Sequence, residues 1–189
     1  SANMRRSFFF FFFDTKLVEE SKLLVETAEP GKLENAFYSI GLGKVDVGVI
    51  ILEWSPRKKI VEWTEQVIKK HPKHRIMMAT HAYLYSDSTR YDYKKRGKDQ
   101  EWNPLAYPTH KSDAAGEVNY DGEMLWQAVF KKYPNVFMTM NGHVLNNGTG
   151  LLMSKGGKGN TVHQMLVNDQ MLDEGGLGQV IHLDRRAHL

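Results

Sequence analysis

Two histidines, His81 and His143, stand at matched places in a sequence that writes the same unit twice. Lys69-Lys70-His71-Pro72 precedes the first, Lys131-Lys132-Tyr133-Pro134 the second, and in each copy the histidine comes nine residues after the proline. Neutral imidazole ligates Zn, Mn, Fe or Ni. A pair of imidazoles delivered to one place is therefore a candidate metal site. The competing reading is two separate hydrogen-bonded structural histidines, since neither lies in a self-contained zinc motif of two His one helical turn apart.

Weaker candidates surround this pair. Asn141, just before Gly142, is either a site neighbour or a turn residue bonding backbone, and the second is favoured. His163 falls in an expected strand and reads more readily as a structural histidine. Asp87, Asp92 and Asp121 could each offer an oxygen ligand, although Asp121 fits a helix N-cap better. Arg57 and Lys58 oppose the dipole of the helix they begin, and so face an acidic surface, a substrate phosphate or simply solvent. Gly156-Gly157-Lys158-Gly159 lacks the Walker spacing, and no Gly-x-Ser-x-Gly elbow occurs. The absence of cysteine removes thiolate metal sites, disulfides and cysteine nucleophiles together.

The elements that must position the pair follow from periodicity. Ala36 to Ile40 and Val45 to Leu52 read as a hairpin, the second strand nearly continuous in Val and Ile. Ser55-Pro56 is expected to open a helix, with Ser as N-cap and Pro at its first position. Ile60, Val61, Thr64, Val67 and Ile68 then recur at helical spacing, Pro72 ends the run, and Arg75 to Thr80 is a strand leading to His81. The second unit repeats this: a helix from Asp121, a strand from Val136 to Met140, then His143. Helix–strand units in succession imply parallel strands, whose shared carboxyl edge is where open α/β sheets bind ligands. Lys16 to Glu29 is read as a short helix. Strands are expected at 150–154, 160–167 and 178–183. The insert at 85–120, with Tyr91, Tyr93, Trp102, Tyr107 and His110, reads as a structured lid.

With 189 residues, 41% hydrophobic and 25% charged, the chain is one folded domain or part of one. A formal charge of +3 is too weak for a dedicated nucleic-acid binder, and no apolar stretch reaches the ~18–20 residues of a membrane span. Residues 1–15 are set apart: Ser1-Ala2-Asn3 looks like an expression scar, and Met4 to Phe13 carries two arginines ahead of six phenylalanines. A basic start before an apolar run is the outline of a secretory signal, which would make the whole protein extracytoplasmic. A buried strand or a truncated chain end is the alternative, so the sequence leaves the compartment of a soluble domain open.

One ordered series of motifs carries a family resemblance: Thr80-His81-Ala82-Tyr83-Leu84, Ser86-Asp87-x-Thr89-Arg90-Tyr91, Asn103-Pro104, Asp121-Gly122-Glu123-x-Leu125-Trp126, Pro134-Asn135-Val136-Phe137, Asn141-Gly142-His143-Val144 and Gly159-Asn160-Thr161-Val162-His163-Gln164. From about Pro30 to about Leu183 it resembles the calcineurin-like metallophosphoesterases, in particular a bacterial subgroup with a Thr-His-Ala-Tyr segment. The resemblance implies a β-sandwich flanked by helices. The expected fold is α/β, with one parallel-rich sheet carrying helices and an antiparallel carboxyl-terminal portion. The resemblance also implies a dinuclear Zn, Mn or Fe centre hydrolysing phosphate esters, with His81 and His143 as ligands of one metal, and the family's roles carry over no further. Asn141, Asp87, Arg90 and His163 are kept as candidate neighbours of that site.

The family's Asp-x-His, Gly-Asp-x-x-Asp and Gly-Asn-His-Asp/Glu motifs do not occur in this chain, and Leu145 replaces the second His of Gly-His-x-His. Residues 16–189 thus read as the carboxyl-terminal half of such a domain, with the metal weakly held or absent and little activity. The rival reading is a non-catalytic remnant or interaction module. Half a sandwich leaves a sheet face and a strand edge uncovered, so a homodimer or larger assembly is expected, with the phenylalanine run in the interface.

Overall fold

The computed structural model describes residues 18, 20–107, 118–170 and 172. Its strands are β1 (Leu24–Thr27), β2 (Ala36–Leu42), β3 (Val45–Leu52), β4 (Arg75–Thr80), β5 (Val136–Asn141), β6 (Thr149–Lys155) and β7 (Thr161–Val167). They form one seven-stranded sheet in the order β1-β2-β3-β4-β5-β7-β6. The pairs β3–β4, β4–β5 and β5–β7 are parallel, and β1–β2, β2–β3 and β6–β7 are antiparallel. The architecture is therefore mixed α/β, parallel at the centre with an antiparallel carboxyl-terminal portion. Among the described residues there is this one sheet, where the resemblance implies two. The phenylalanine run, His110 and the strand expected at 178–183 lie outside the described residues.

Helix α1 (Lys58–Lys70) follows β3, and the short α2 (Tyr93–Arg96) lies in the insert. Helix α3 (Gly122–Leu125) continues as a π turn over Trp126–Phe130. Asp121 caps α3 as expected, its carboxylate accepting from the Met124 N–H at 3.0 Å. The start of α1 needs correction, because its N-cap is Arg57 and Ser55 sits at φ 49°. The cause is tertiary. The Pro56 carbonyl accepts from the Tyr120 N–H at 2.9 Å and the Lys58 N–H donates to the Val118 carbonyl at 3.0 Å, which holds Arg57 extended along the end of the insert.

A second correction concerns 16–29. Leu24–Thr27 is a strand, paired antiparallel to β2. The free edge of β2 offers a row of unpaired backbone groups, and Val25 and Thr27 suit a pleated edge. That edge outweighs the leucine spacing that suggested a helix.

The core lies on one face of the sheet. Phe37, Ile50, Ile76, Met78, Val162 and Leu166 meet Ile60, Val61, Val67 and Ile68 of α1 and Leu125, Val129 and Phe130 of the α3 segment in one buried cluster. Cross-strand registers put Phe37 with Ile50, Ile50 with Met78, Met78 with Thr139 and Thr139 with Gln164 on this side. Parallel strands β3, β4, β5 and β7 present their carboxyl ends together, and the segments leaving them carry Trp54, His81, His143 and Asn168.

Candidate metal centre

His81 leaves β4 and His143 leaves β5, and the two rings meet with centroids 4.9 Å apart at 60°. The matched spacing in the sequence thus becomes a pair in space. Trp54, two residues past β3, packs on both: 4.5 Å from the His143 ring and 5.2 Å from the His81 ring. Tyr107 stands edge-on to Trp54 at 5.5 Å and lies 6.2 Å from His143, while Tyr91 lies 6.4 Å from His143 on the insert side. The insert's aromatic residues therefore flank the His143 side of the pair, while His81 stays exposed. The insert's backbone takes part as well, because the Trp102 carbonyl lies 2.9 Å from Nε2 of His143.

That contact fixes chemistry. A carbonyl only accepts, so Nε2 of His143 carries the proton and the neutral ring keeps its lone pair on Nδ1. Burial lowers the pKa of His143; the Trp102 bond raises it and the neighbouring His81 lowers it further. Burial likewise lowers the pKa of His81, although that residue keeps an exposed edge. Both imidazoles are thereby held neutral at neutral pH, the form that ligates a metal. His143 adopts φ 75°, and Trp102 and Ser55 beside the pair adopt φ 58° and 49°. Such left-handed backbone is uncommon outside glycine and gathers at functional sites.

The remaining candidates separate from the pair. Buried Asn141 does bond backbone: its Oδ1 accepts from the Leu84 N–H at 3.0 Å, and its Nδ2 donates to the Leu84 and Gly142 carbonyls, each at 3.0 Å. It ties the segment after His81 to the segment before His143. Asp87 accepts from Thr89 and from Arg96 at 2.9 Å, which shapes the insert's first turn.

Arg90 donates to Glu123 at 2.6 Å, Gln164 at 2.9 Å and Ser154 at 3.1 Å, and lies 4.6 Å from the Trp126 ring centre. It staples the insert to β6, β7 and α3 on the core side. His163 pairs in register with Met138 and Met153 on the opposite face, four residues before the end of β7, roughly 13 Å of strand from the edge. Asp92 caps α2 and Asp121 caps α3, so neither is free to ligate. Arg57 does face acids: it pairs with Glu53 at 2.7 Å and Glu29 at 2.9 Å.

Trp54 is the site residue that sequence reasoning missed. The signal was present, since Trp54 follows β3 by two residues at the same carboxyl edge that identified the histidines. No third His, Asp or Glu joins the pair in a metal-ligating group among the described residues. A Zn–N bond of ~2.0–2.1 Å puts the centroids of two cis imidazole ligands about 4.5–5.2 Å apart, and the observed 4.9 Å lies within that range. The pair amounts to two of the four ligands that one borderline metal ion takes. It does not fit a dinuclear centre, which needs carboxylate oxygens to bridge and neutralise two cations.

No protein-family profile matches this chain. No solved structure matches it either. Among curated proteins it is similar to the uncharacterized protein YvnB of Bacillus subtilis (strain 168), with 28% identity over 137 residues. That match covers 70% of this chain and 8% of YvnB, so the chain corresponds to a small part of a much longer relative. Among the described residues no helix is long and apolar enough to cross a membrane.

Proposed function

We propose that this chain contributes the His81–His143 half of a metal-dependent phosphoester hydrolase site, and that alone it is a weak metal binder with little turnover. The carrying observation is that two imidazoles at matched positions of a repeated helix–strand unit meet at 4.9 Å on the carboxyl edge of the sheet. The ordered resemblance to the calcineurin-like metallophosphoesterases supports the reaction class, a phosphate ester being the substrate of the whole protein. When bound, a divalent Zn, Mn or Fe ion polarises a phosphoryl oxygen and lowers the pKa of water. The chain's own residues supply the rest: Nδ1 of His143 is left free by the Trp102 carbonyl, Trp54 buttresses both rings, and Tyr91 and Tyr107 of the insert pack beside His143.

Titration calorimetry on the whole chain tests this. About one equivalent of Zn or Mn is expected to bind weakly, binding is lost in His81→Ala and in His143→Ala, and it survives in His163→Ala. Equal binding by the wild type and by the double His81→Ala/His143→Ala variant refutes the joint site. Hydrolysis of para-nitrophenyl phosphate by the lone chain is expected to stay near background with either metal. Metal-stimulated turnover abolished by His143→Ala would refute the incompleteness.

A second reading, an interaction module that retains the fold without catalysis, is favoured by a different observation: register sets Tyr38, Val49, Met77, Met138 and Met153 in one row on the sheet face opposite the core.

A further inference from the structure

Charge that the sequence scatters is gathered by the fold at the amino edge of the sheet, the end away from His81 and His143. Lys44 lies there between β2 and β3, Lys73 and Arg75 at the entry to β4, and Lys155 and Lys158 where β6 turns into β7. All five are exposed, and among the described residues none makes an ion pair. The segments that carry them, 41–46, 72–76 and 154–161, contain one acid, Asp46. Five cations against one acid give +4, where the whole chain sums to +3. Lys69, Lys70, Lys131 and Lys132 stand at helix ends on the same side, and there the helix dipole alone accounts for cations. Turns have no such dipole. In sheet order the β2–β3 and β6–β7 turns are four strand spacings apart, about 19 Å, with the entry to β4 between them. The row lies at strand ends, so a second sheet laid on the sheet face leaves it open. Leu42, at the end of β2, is 60% exposed beside Lys44, where Gly43 turns the chain at φ 67°.

We propose that this basic rim docks the protein on a bilayer rich in anionic lipid headgroups. Such a surface requires only cations brought to one plane and an apolar tip that enters the headgroup layer. Nucleic acid requires more. A single strand stacks its bases on aromatic side chains, and a duplex takes a helix or a ribbon into its groove. The three segments contain no Phe, Tyr or Trp, their hairpins belong to the sheet, and α1 and α3 reach this edge with their carboxyl ends. Docked in this way, the strands stand upright on the bilayer. The His81–His143 pair is then one strand length away, about 20–26 Å, on the side turned to water.

Co-sedimentation of the full chain with lipid vesicles tests the proposal. At ~0.1 M salt the chain is expected to bind vesicles of equal parts phosphatidylcholine and phosphatidylglycerol, to release them at ~0.5 M salt, and to leave pure phosphatidylcholine unbound. Lys44→Glu/Lys73→Glu/Lys158→Glu should lower the partition coefficient by roughly 100-fold, about fivefold for each cation lost. These three lie in turns and make no side-chain bond among the described residues, so the circular dichroism spectrum should not change. Lys94→Glu/Lys95→Glu/Lys98→Glu alters net charge equally, on exposed residues of the insert at the carboxyl edge. That edge is beyond a Debye length of ~10 Å, so this variant should bind as the wild type does. Leu42→Ser should cost about fivefold. The phenylalanine run at 8–13 is the rival source of affinity, and it would act on neutral vesicles too. Equal binding to neutral and anionic vesicles, equal losses in the two triple variants, a Leu42→Ser variant like the wild type, or no binding would each overturn the proposal. So would a DNA strand or duplex held through the same three lysines more tightly than the vesicles.

Discussion

Replacing Asn141 by alanine tests the way the site is held together. Its side chain is the only hydrogen-bond partner described for the backbone N–H and the carbonyl of Leu84, a residue with no exposed surface. The Gly142 carbonyl also accepts from Val144 and keeps that partner. The substitution therefore strands two buried backbone groups, each costing about 1–3 kcal/mol, for an expected loss of ~2–6 kcal/mol. With a urea slope near 2 kcal/mol/M, the unfolding midpoint should fall by about 1–3 M. Asn141→Asp keeps the acceptor for Leu84 N–H but turns a second oxygen toward the Leu84 carbonyl, so it should be no better than alanine. Metal binding should weaken alongside stability, because Asn141 joins the segments that carry His81 and His143. Urea titration followed by tryptophan fluorescence measures the first effect and calorimetry the second. An alanine variant within ~0.5 kcal/mol of wild type would refute the argument that these bonds have no substitute.

Acid should unfold the protein in two stages. The lowered pKa values of His81, His143 and His71 mean that the unfolded chain takes up protons first, near 6.5. Their stabilising contribution is present above that pH and is lost as pH falls through 6.5 toward the folded values. Burial raises the pKa of Glu29, but bonds from Arg57, Lys32 and Lys59 outweigh it and hold the group at about 2, against an ordinary 4.5. Its contribution is lost as pH falls from 4.5 toward 2, and thermal melts at pH 8, 5.5 and 3 should resolve both stages. His81→Gln/His143→Gln should flatten only the upper one. Gly122→Ala should cost about 3 kcal/mol by urea titration, because a Cβ there collides with the Tyr83 carbonyl, and an unchanged midpoint would contradict that packing.

The carboxyl edge was legible because its signals are local and repeated. β3, β4 and β5 are short apolar runs, and two Lys-Lys-x-Pro units set the same distance to their histidines. Asn141 was legible for the opposite reason, since an Asn beside Gly has few uses other than bonding backbone. The place of Trp54 at that edge was legible from β3, but its packing on both rings was not, because the chain beside it turns at Ser55 with φ 49° and is bonded to a segment more than sixty residues later. β1 was hidden for a similar reason: a four-residue strand with a glutamate in it forms only because β2 has an edge to fill. Arg90 looked like a site residue in its motif, yet its guanidinium is engaged by Glu123, Gln164 and Ser154, partners no local pattern indicates.

The left-handed backbone at His143 bears on how the site can be taken apart. Glycine occupies φ 75° freely, whereas a residue with a Cβ gives up roughly 1–2 kcal/mol there. The ring offsets part of that through its bond to Trp102 and its packing on Trp54. Alanine removes the ring and keeps the strain, so it confounds a lost ligand with a weakened fold. Glycine removes both, and its imidazole-free site would stand on the more relaxed scaffold. At this position, what the chain needs to stay folded and what the proposed metal site needs pull toward different amino acids.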